Sequence, residues 1–350
     1  MSLPMKLALS CINRNWLPDL LIRQGIRHLV RQRLNEISLE PGQASSLKTA
    51  FISEMSRSDI AVHPDAANEQ HYEVPPDFFV RVLGPYLKYS SGFWPPGVAT
   101  LAEAEEAGLW ETCAHADLCD GHSILDLGCG WGSLSLWMAS RYPHSQITAI
   151  SNSHSQKTYI DAQAFRRRLR NIRVLTCDMN RLTLEPVQFD RVMSVEMFEH
   201  MRNWPHLFHR VHQWLRPGGR FFMHIFVHRA TPYTFEVRDD SDWMSRYFFT
   251  GGMMPSDDLP LAIHSPFRLV NRWRWAGTHY ERTANAWLEN MDNHRETLLP
   301  LFLRTYGESH AVLWWVRWRI FFMACAELFG YREGQEWWVR HYLFEQADLS

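Results

Sequence analysis

The sequence has no C-x-x-C pair, almost no net charge and no apolar run near the ~18 residues that a membrane-spanning helix needs, and each absence removes a class of function. Its six cysteines, Cys11, Cys113, Cys119, Cys129, Cys177 and Cys325, are scattered through 350 residues. That spacing argues against a zinc site or a disulfide framework and for reduced thiols. The 36 basic and 38 acidic side chains leave a net charge of −2, so no global field is present to hold nucleic acid or an anionic membrane. The first residues show no apolar segment followed by a small-residue cleavage site, and the expectation is a cytoplasmic protein without a transmembrane segment. What the chain does have is apolar and aromatic side chain. Hydrophobic residues make up 46% and charged residues 21%, with sixteen tryptophans, a composition that builds a core and excludes a disordered chain. Its length fits one large domain with insertions or about two domains.

Apolar positions recur three and four apart from Leu20 to Arg31, the pattern of an amphipathic helix. The Pro41-Gly42 break and the polar stretch Ser56-Arg57-Ser58-Asp59 set this region off, so residues 1–62 read as a helical arm and 63–350 as the main domain. From Ser123 short apolar runs alternate with helical stretches, at 123–127, 146–150, 172–175, 190–195 and 219–225. Strands spaced by helices predict an α/β fold with a doubly wound, mostly parallel sheet. After Val227 the rhythm gives way to an aromatic-rich segment, then resumes with a strand at 267–275, helices between Ala284 and Leu328 and a last strand at 337–344. The irregular part, mainly 228–335, reads as a helical, aromatic-rich cap over a substrate.

The run Ile124-Leu125-Asp126-Leu127-Gly128-Cys129-Gly130-Trp131-Gly132 sends an apolar strand straight into three alternating glycines. Such a loop lets a ligand approach backbone. A dinucleotide fingerprint would place its third glycine where this chain has Ser133 and would follow with a ribose-binding acid about 20 residues on. Neither condition holds, and the acid instead precedes the glycines, at Asp126. That arrangement fits a nucleoside cofactor without a pyrophosphate.

The run Asp126–Gly132 resembles motif I of class I S-adenosylmethionine-dependent methyltransferases, and Leu215-Arg216-Pro217-Gly218-Gly219 resembles the turn that precedes their fifth strand. His71-Tyr72-Glu73-Val74-Pro75, Tyr89-Ser90-Ser91-Gly92-Phe93-Trp94, Ser151-Asn152-Ser153-His154-Ser155-Gln156 and Met197-Phe198-Glu199-His200 narrow the resemblance to the cyclopropane fatty acid synthase family, over residue 71 to the C-terminus. Ser194–Met201 and Leu328–Trp337 look closest to its coclaurine and pavine N-methyltransferase branch. The resemblance implies a seven-stranded sheet and S-adenosylmethionine as cofactor, converted to S-adenosylhomocysteine, with no metal. It implies cofactor contacts from Tyr72, Ser90, Asp126, Gly128, Gly130, Gly132, Ser151, Asn152, Gln156, Asp178 and Met179, and substrate contacts from Glu73, Ser91 and Phe226. Asp178 also reads as the turn or cap residue that Asp often is. The partner is a small-molecule amine or an acyl lipid, and a homodimer is compatible with the pattern.

Glu196, Glu199 and His200 follow the fourth strand, where the carboxyl ends of an open parallel sheet face the ligand crevice. If the segment turns helical, the two glutamates three apart share a face. Glutamates also decorate helix starts for the macrodipole alone, and for Glu196 in isolation that reading competes. An amine must lose its proton to attack a sulfonium methyl; His200, with an ordinary pKa near 6.5, can take it at neutral pH while the glutamates hold the ammonium. The rival chemistry is that of the family's namesakes, in which a methyl adds to a lipid double bond and bound bicarbonate acts as base. On that pattern bicarbonate falls on Glu199, His224, Tyr280, the backbone around Phe226 and a cysteine that is Ser91 here. The namesakes carry glycine where this chain has Glu196, and a buried negative charge disfavours bicarbonate and favours an amine. A non-catalytic cofactor-binding module is the third reading.

Overall fold

A computed structural model describes residues 17–38, 41–62, 74–237 and 242–347. Cys11, Tyr72 and Glu73 lie outside the described residues.

The first helices are α1 (Asp19–Ile37), α2 (Pro41–Met55), α3 (Pro76–Val82) and α4 (Leu101–His115). Helix α3 starts on a proline, whose missing N–H costs nothing at a first helical position. Helix α4 starts on a reciprocal cap, Thr100 Oγ accepting the Glu103 N–H and Glu103 accepting the Thr100 N–H. There follow β1 (Ser123–Leu127), α5 (Ser133–Arg141), β2 (Gln146–Ser151), α6 (His154–Arg166), β3 (Ile172–Thr176), β4 (Phe189–Val195), α7 (Trp204–Trp214) and β5 (Leu215–His228). A small hairpin, β6 (Tyr233–Thr234) with β7 (Met253–Met254), surrounds α8 (Trp243–Tyr247) and is followed by α9 (Leu259–Ala262). The chain ends with β8 (Phe267–Trp275), α10 (Gly277–Asn293), α11 (Arg295–Tyr306), α12 (Glu308–Phe329) and β9 (Trp337–Gln346).

The seven-stranded sheet has the order β3-β2-β1-β4-β5-β9-β8. Strands β3 to β5 are parallel, and β9 runs antiparallel between β5 and β8. The doubly wound, mostly parallel sheet read from the sequence is therefore the sheet found. Its central strands are apolar along their length because helices cover both faces; in β1, Ile124 to Leu127 are all buried. The turn expected at Leu215–Gly219 is absorbed into β5 as an irregularity: pairing jumps from Phe189–Leu215 to Arg191–Arg220, and the residues between bulge out around Gly218 at φ +77°.

The helices expected from Ala284 begin earlier, at Gly277. A side chain there would lie 2.2 Å from the carbonyl oxygens of Phe329 and Trp337, so a residue that reads locally as a turn is demanded by close packing. Ten of the fifteen tryptophans among the described residues are buried, which makes core the usual role of this residue. Helix α1 lies against α12 through Ile22, Val30 and Leu34, with Arg23 and Arg27 both bonded to Glu327 and Arg319 to Asp19. The Asn180 side chain clamps the Ala61 backbone at 3.0 and 2.9 Å. Among the described residues no helix is long and apolar enough to cross a membrane.

Candidate active site

Two cavities meet beyond the carboxyl ends of β1 and β4. Gly128, Gly130, Gln156, Glu196 and His200 line both. The first adds Ser90, Asp126, Phe226, Tyr280 and Trp287; the second adds Ser151, Asn152, Asp178 and Met179. The glycine loop owes its composition to two different pressures. A side chain on Gly128 would meet Met197 at 2.4 Å and one on Gly132 would meet Ile160 at 2.6 Å, so protein packing excludes both. Gly130 also has left-handed backbone, φ +53°, but a side chain there would meet nothing within 4 Å. The space it leaves open is the cavity, and Gly132 itself lies behind the cavity walls.

On the second cavity's side, Ser151 Oγ donates to Gln156 Oε1 at 2.7 Å and accepts the Ser153 N–H at 2.9 Å. This leaves Gln156 Nε2 buried with no partner, a donor waiting for an acceptor. Asp178 accepts the Asn180 N–H at 2.9 Å and lines the cavity as well, so the turn role and the ligand-facing role coexist. Asp126 accepts the Ser135 hydroxyl at 2.5 Å; burial pushes its carboxyl up to about 6, with that bond opposing. The Met179 carbonyl is held by Arg210 at 2.6 Å. An unsatisfied amide donor, a carboxylate and an uncrowded glycine fit a nucleoside carrying an amino-acid tail.

On the first cavity's side, Glu196 adopts left-handed backbone, φ +47°, a conformation that costs a non-glycine residue about 1–3 kcal/mol and concentrates at functional sites. Only Phe198–His200 forms a 3₁₀ turn. The helical stacking of Glu196 over Glu199 is therefore replaced by a sharp corner that sends the two carboxylates to different partners. Glu196 Oε1 accepts the Ser91 N–H at 3.0 Å and faces His224 Nε2 at 3.1 Å, while Oε2 accepts the Tyr280 hydroxyl at 2.7 Å. Glu199 Oε1 accepts the Phe226 N–H at 2.8 Å, and its Oε2 is buried without a partner. Glu199, Ser91 and His224 are fully buried and stand behind the residues that face the cavities. His200 packs its ring on Phe249, centroids 4.5 Å apart.

These contacts split the two glutamates electrostatically. Burial pushes Glu196 up, but the His224 bond, the Lys88 ammonium and the Ser91 N–H outweigh it and hold its carboxyl below the usual value. Burial and the charge on Glu196 drive Glu199 well above its usual value. The pair is thus pushed apart, Glu196 toward its ionised form and Glu199 toward its acid form. Tyr280, raised by burial and by Glu196, stays a phenol donor.

The sequence reading missed Lys88 and Glu105. Lys88 is buried, donates to Ser90 Oγ at 2.6 Å and the Ser91 carbonyl at 2.7 Å, and is lowered by burial to about 8 against the pull of Glu196 and Glu105. Glu105 accepts the backbone N–H of Gly84, Tyr86 and Lys88 at 2.9, 2.8 and 3.2 Å and so fixes the loop that presents Ser91 to Glu196. A lysine and a glutamate among polar neighbours carry no local signal of burial. Trp131 and Trp287, which also wall the first cavity, were indistinguishable from core tryptophans.

A parallel sheet whose first strand ends in this glycine loop, beside an unfilled amide donor and an ionised glutamate, belongs to an S-adenosylmethionine-dependent methyltransferase. The family model for mycolic acid cyclopropane synthetase matches residues 62–337, and the chain belongs to that family. It is 37% identical over 291 residues to (S)-coclaurine N-methyltransferase of Thalictrum flavum subsp. glaucum, covering 82% of this chain and 80% of the relative. It is 30% identical over 281 residues to cyclopropane-fatty-acyl-phospholipid synthase of Escherichia coli (strain K12), covering 77% and 66%. The crystal structure of coclaurine N-methyltransferase bound to N-methylheliamine and SAH superimposes with a TM-score of 0.94 at 31% identity, covering 98% of this chain and all of the other.

Proposed function

We propose that this methyltransferase acts on the nitrogen of a small amine carried on an aromatic framework, in a cavity walled by Trp131, Phe226, Phe249, Tyr280 and Trp287. The observation that carries the reading is the set of groups engaged by Glu196. Ser91, His224 and Tyr280 are the positions that the lipid-modifying pattern assigns to bicarbonate, and here all three bond to a carboxylate belonging to the protein. An anion in the same place would meet that charge at close range in a low dielectric, whereas a cationic amine is attracted to it. The similar coclaurine N-methyltransferase structure, bound to N-methylheliamine, supports an aromatic amine.

In this reading Gly130, Ser151, Asn152, Gln156, Asp178 and Met179 hold the cofactor, and Glu196 holds the amine. Bound S-adenosylmethionine supplies a methyl group on a sulfonium. Glu196 orients the ammonium, the aromatic walls exclude water and offer faces to a cation, and His200 takes the proton that must leave before the nitrogen lone pair is free. Glu199, held as an acid, adds no second negative charge and keeps the Phe226 backbone in place.

The test is an acceptor screen with methyl-labelled cofactor over aromatic amines and unsaturated phospholipids, with and without bicarbonate, for the wild type and Glu196→Gly. Labelled amine, indifferent to bicarbonate, with a raised KM in Glu196→Gly is the expected result. Bicarbonate-dependent cyclopropane formation overturns it in favour of the lipid chemistry, for which the retained His224 and Tyr280 are the supporting observation.

A further inference from the structure

Behind Glu196 the hydrogen bonding continues through three histidines to the surface. His224 on β5 and His341 on β9 are register partners, and His224 Nδ1 meets His341 Nε2 at 2.9 Å. His341 Nδ1 meets Nδ1 of His115, the last residue of α4, at 2.8 Å. His115 Nε2 meets Glu111 Oε2, one helical turn earlier, at 3.0 Å, and the Glu111 side chain is 41% exposed. With the 3.1 Å contact from Glu196 to His224 Nε2, every ring nitrogen is engaged, and five residues from four parts of the chain form one unbroken line. Strand β8 contributes only Trp273, stacked on His115 at 4.0 Å, and Trp275, 4.4 Å from His341; Phe222 closes the other side at 5.0 Å. The charged groups that face the line are Glu111 at one end and Glu196 and Lys88 at the other.

The number of protons gives this line a direction. Burial keeps His224, His341 and His115 below their ordinary value, His115 at about 4, so the rings are neutral and each carries one N–H. Three N–H groups must serve four contacts, of which the outermost two end on carboxylates. If His224 donates to Glu196, then His341 donates to His224, His115 donates to His341, and His115 Nε2 is left as a lone pair facing Glu111. If instead His115 donates to Glu111, every ring reverses and Glu196 faces a lone pair. A single further proton on the Glu111–His115 contact satisfies all four contacts and keeps the chain pointing at Glu196.

We propose that the three histidines form a polarised chain that couples the proton at Glu111–His115 on the surface to the charge on Glu196 in the acceptor cavity, with His341 and His115 acting as positioning residues for His224. The proposal rests on the reading that Glu196 holds the amine. With the surface proton present, His224 presents Nε2–H and Glu196 stays ionised for a cation. When that proton is lost, two carboxylates compete for one polarity, part of the population turns the His224 lone pair toward Glu196, and the amine is held less well.

Glu111→Gln separates the coupling from mere packing, because it changes one exposed side chain that touches neither ligand. The new amide can donate to His115 Nε2 and replaces the missing proton permanently. The wild-type KM for the amine should rise through one titration step with increasing pH, and Glu111→Gln should remove that step while kcat and cofactor affinity are unchanged. His341→Leu, which cannot donate to His224, should raise the amine KM about tenfold by leaving buried polar groups unpaired, and His341→Gln, which can donate, should restore most of it. Nitrogen-15 spectra of the free enzyme should show the proton of His224 on Nε2 in Glu111→Gln at every pH, and in the wild type on Nε2 below the titration step and divided between the two nitrogens above it. Superimposable pH profiles for the wild type and Glu111→Gln, or His224 protonated only on Nδ1, overturn the proposal. An amine KM untouched in Glu196→Gln would sink the reading of Glu196 instead, and the nitrogen spectra, taken without any acceptor, would still decide the polarity of the chain.

Discussion

The two halves of the site are assembled from different kinds of sequence. The half proposed to hold the cofactor comes from runs that are contiguous in the chain: Asp126 to Gly132, Ser151 to Gln156, and Asp178 with Met179, each at the carboxyl end of a neighbouring parallel strand. The half proposed to hold the acceptor comes from single residues far apart, with Ser91, His224 and Tyr280 converging on the Glu196 carboxylate. Backbone shape dominates the first half, and side-chain charge dominates the second. Damage to the first should therefore be steric and complete, and damage to the second graded and dependent on pH.

The largest effect should come from Gly130→Val, which puts a β-branched side chain on left-handed backbone and into the open space where the cradle receives its ligand. Calorimetry should show S-adenosylmethionine binding lost, and unchanged affinity would refute the assignment of that space. His200→Ala should come next. Removing a general base commonly lowers rate about 100- to 10,000-fold, so kcat should fall within that range at neutral pH with cofactor affinity nearly intact. The loss should shrink at high pH, where more of the amine arrives deprotonated. Full activity at every pH would move proton removal away from His200 and erase the contrast between the halves.

The smallest effect concerns stability. Burial holds His115, His228 and His279 at about 4, so between pH 6.5 and 4 the unfolded chain binds protons that the folded rings refuse, and stability is lost as pH falls. Glu105, raised by burial to about 7, and Asp126, raised to about 6, act in the opposite sense, because the folded state binds their protons first. The lowered His224 and His341 join the imidazoles and the raised Glu199 joins the carboxyls, and five groups against three give a net decline. The urea midpoint should drop as pH is lowered through that window, and His279→Gln should make the slope shallower. A midpoint that rose on acidification would show that the buried carboxylates of the cradle outweigh the imidazoles.

The sheet was readable because each strand is a short apolar run and its order follows from parallel crossovers, and the glycine loop was readable because backbone approach leaves a local trace at Gly128, Gly130 and Gly132. The strand at Phe267–Trp275 and the last strand were placed within two residues of their observed ends. Elsewhere local reading stopped short. The start of α10 at Gly277 depends on two carbonyls from segments more than fifty residues away, and the corner at Glu196 depends on a left-handed residue where the spacing suggested a helix.

The amino-acid sequence by itself determined the parallel sheet, the glycine loop and the presence of Glu196, Glu199 and His200 after the fourth strand, since all three depend on neighbours within a few residues. Only the tertiary structure decided that Glu196 is held below its usual value and Glu199 above it, that Lys88 is buried beside them, and that His224, His341 and His115 stand in line behind Glu196. Those properties arise from burial and from hydrogen bonds between residues up to 226 positions apart, and a charge is set by what surrounds it in space rather than by what precedes it in the chain.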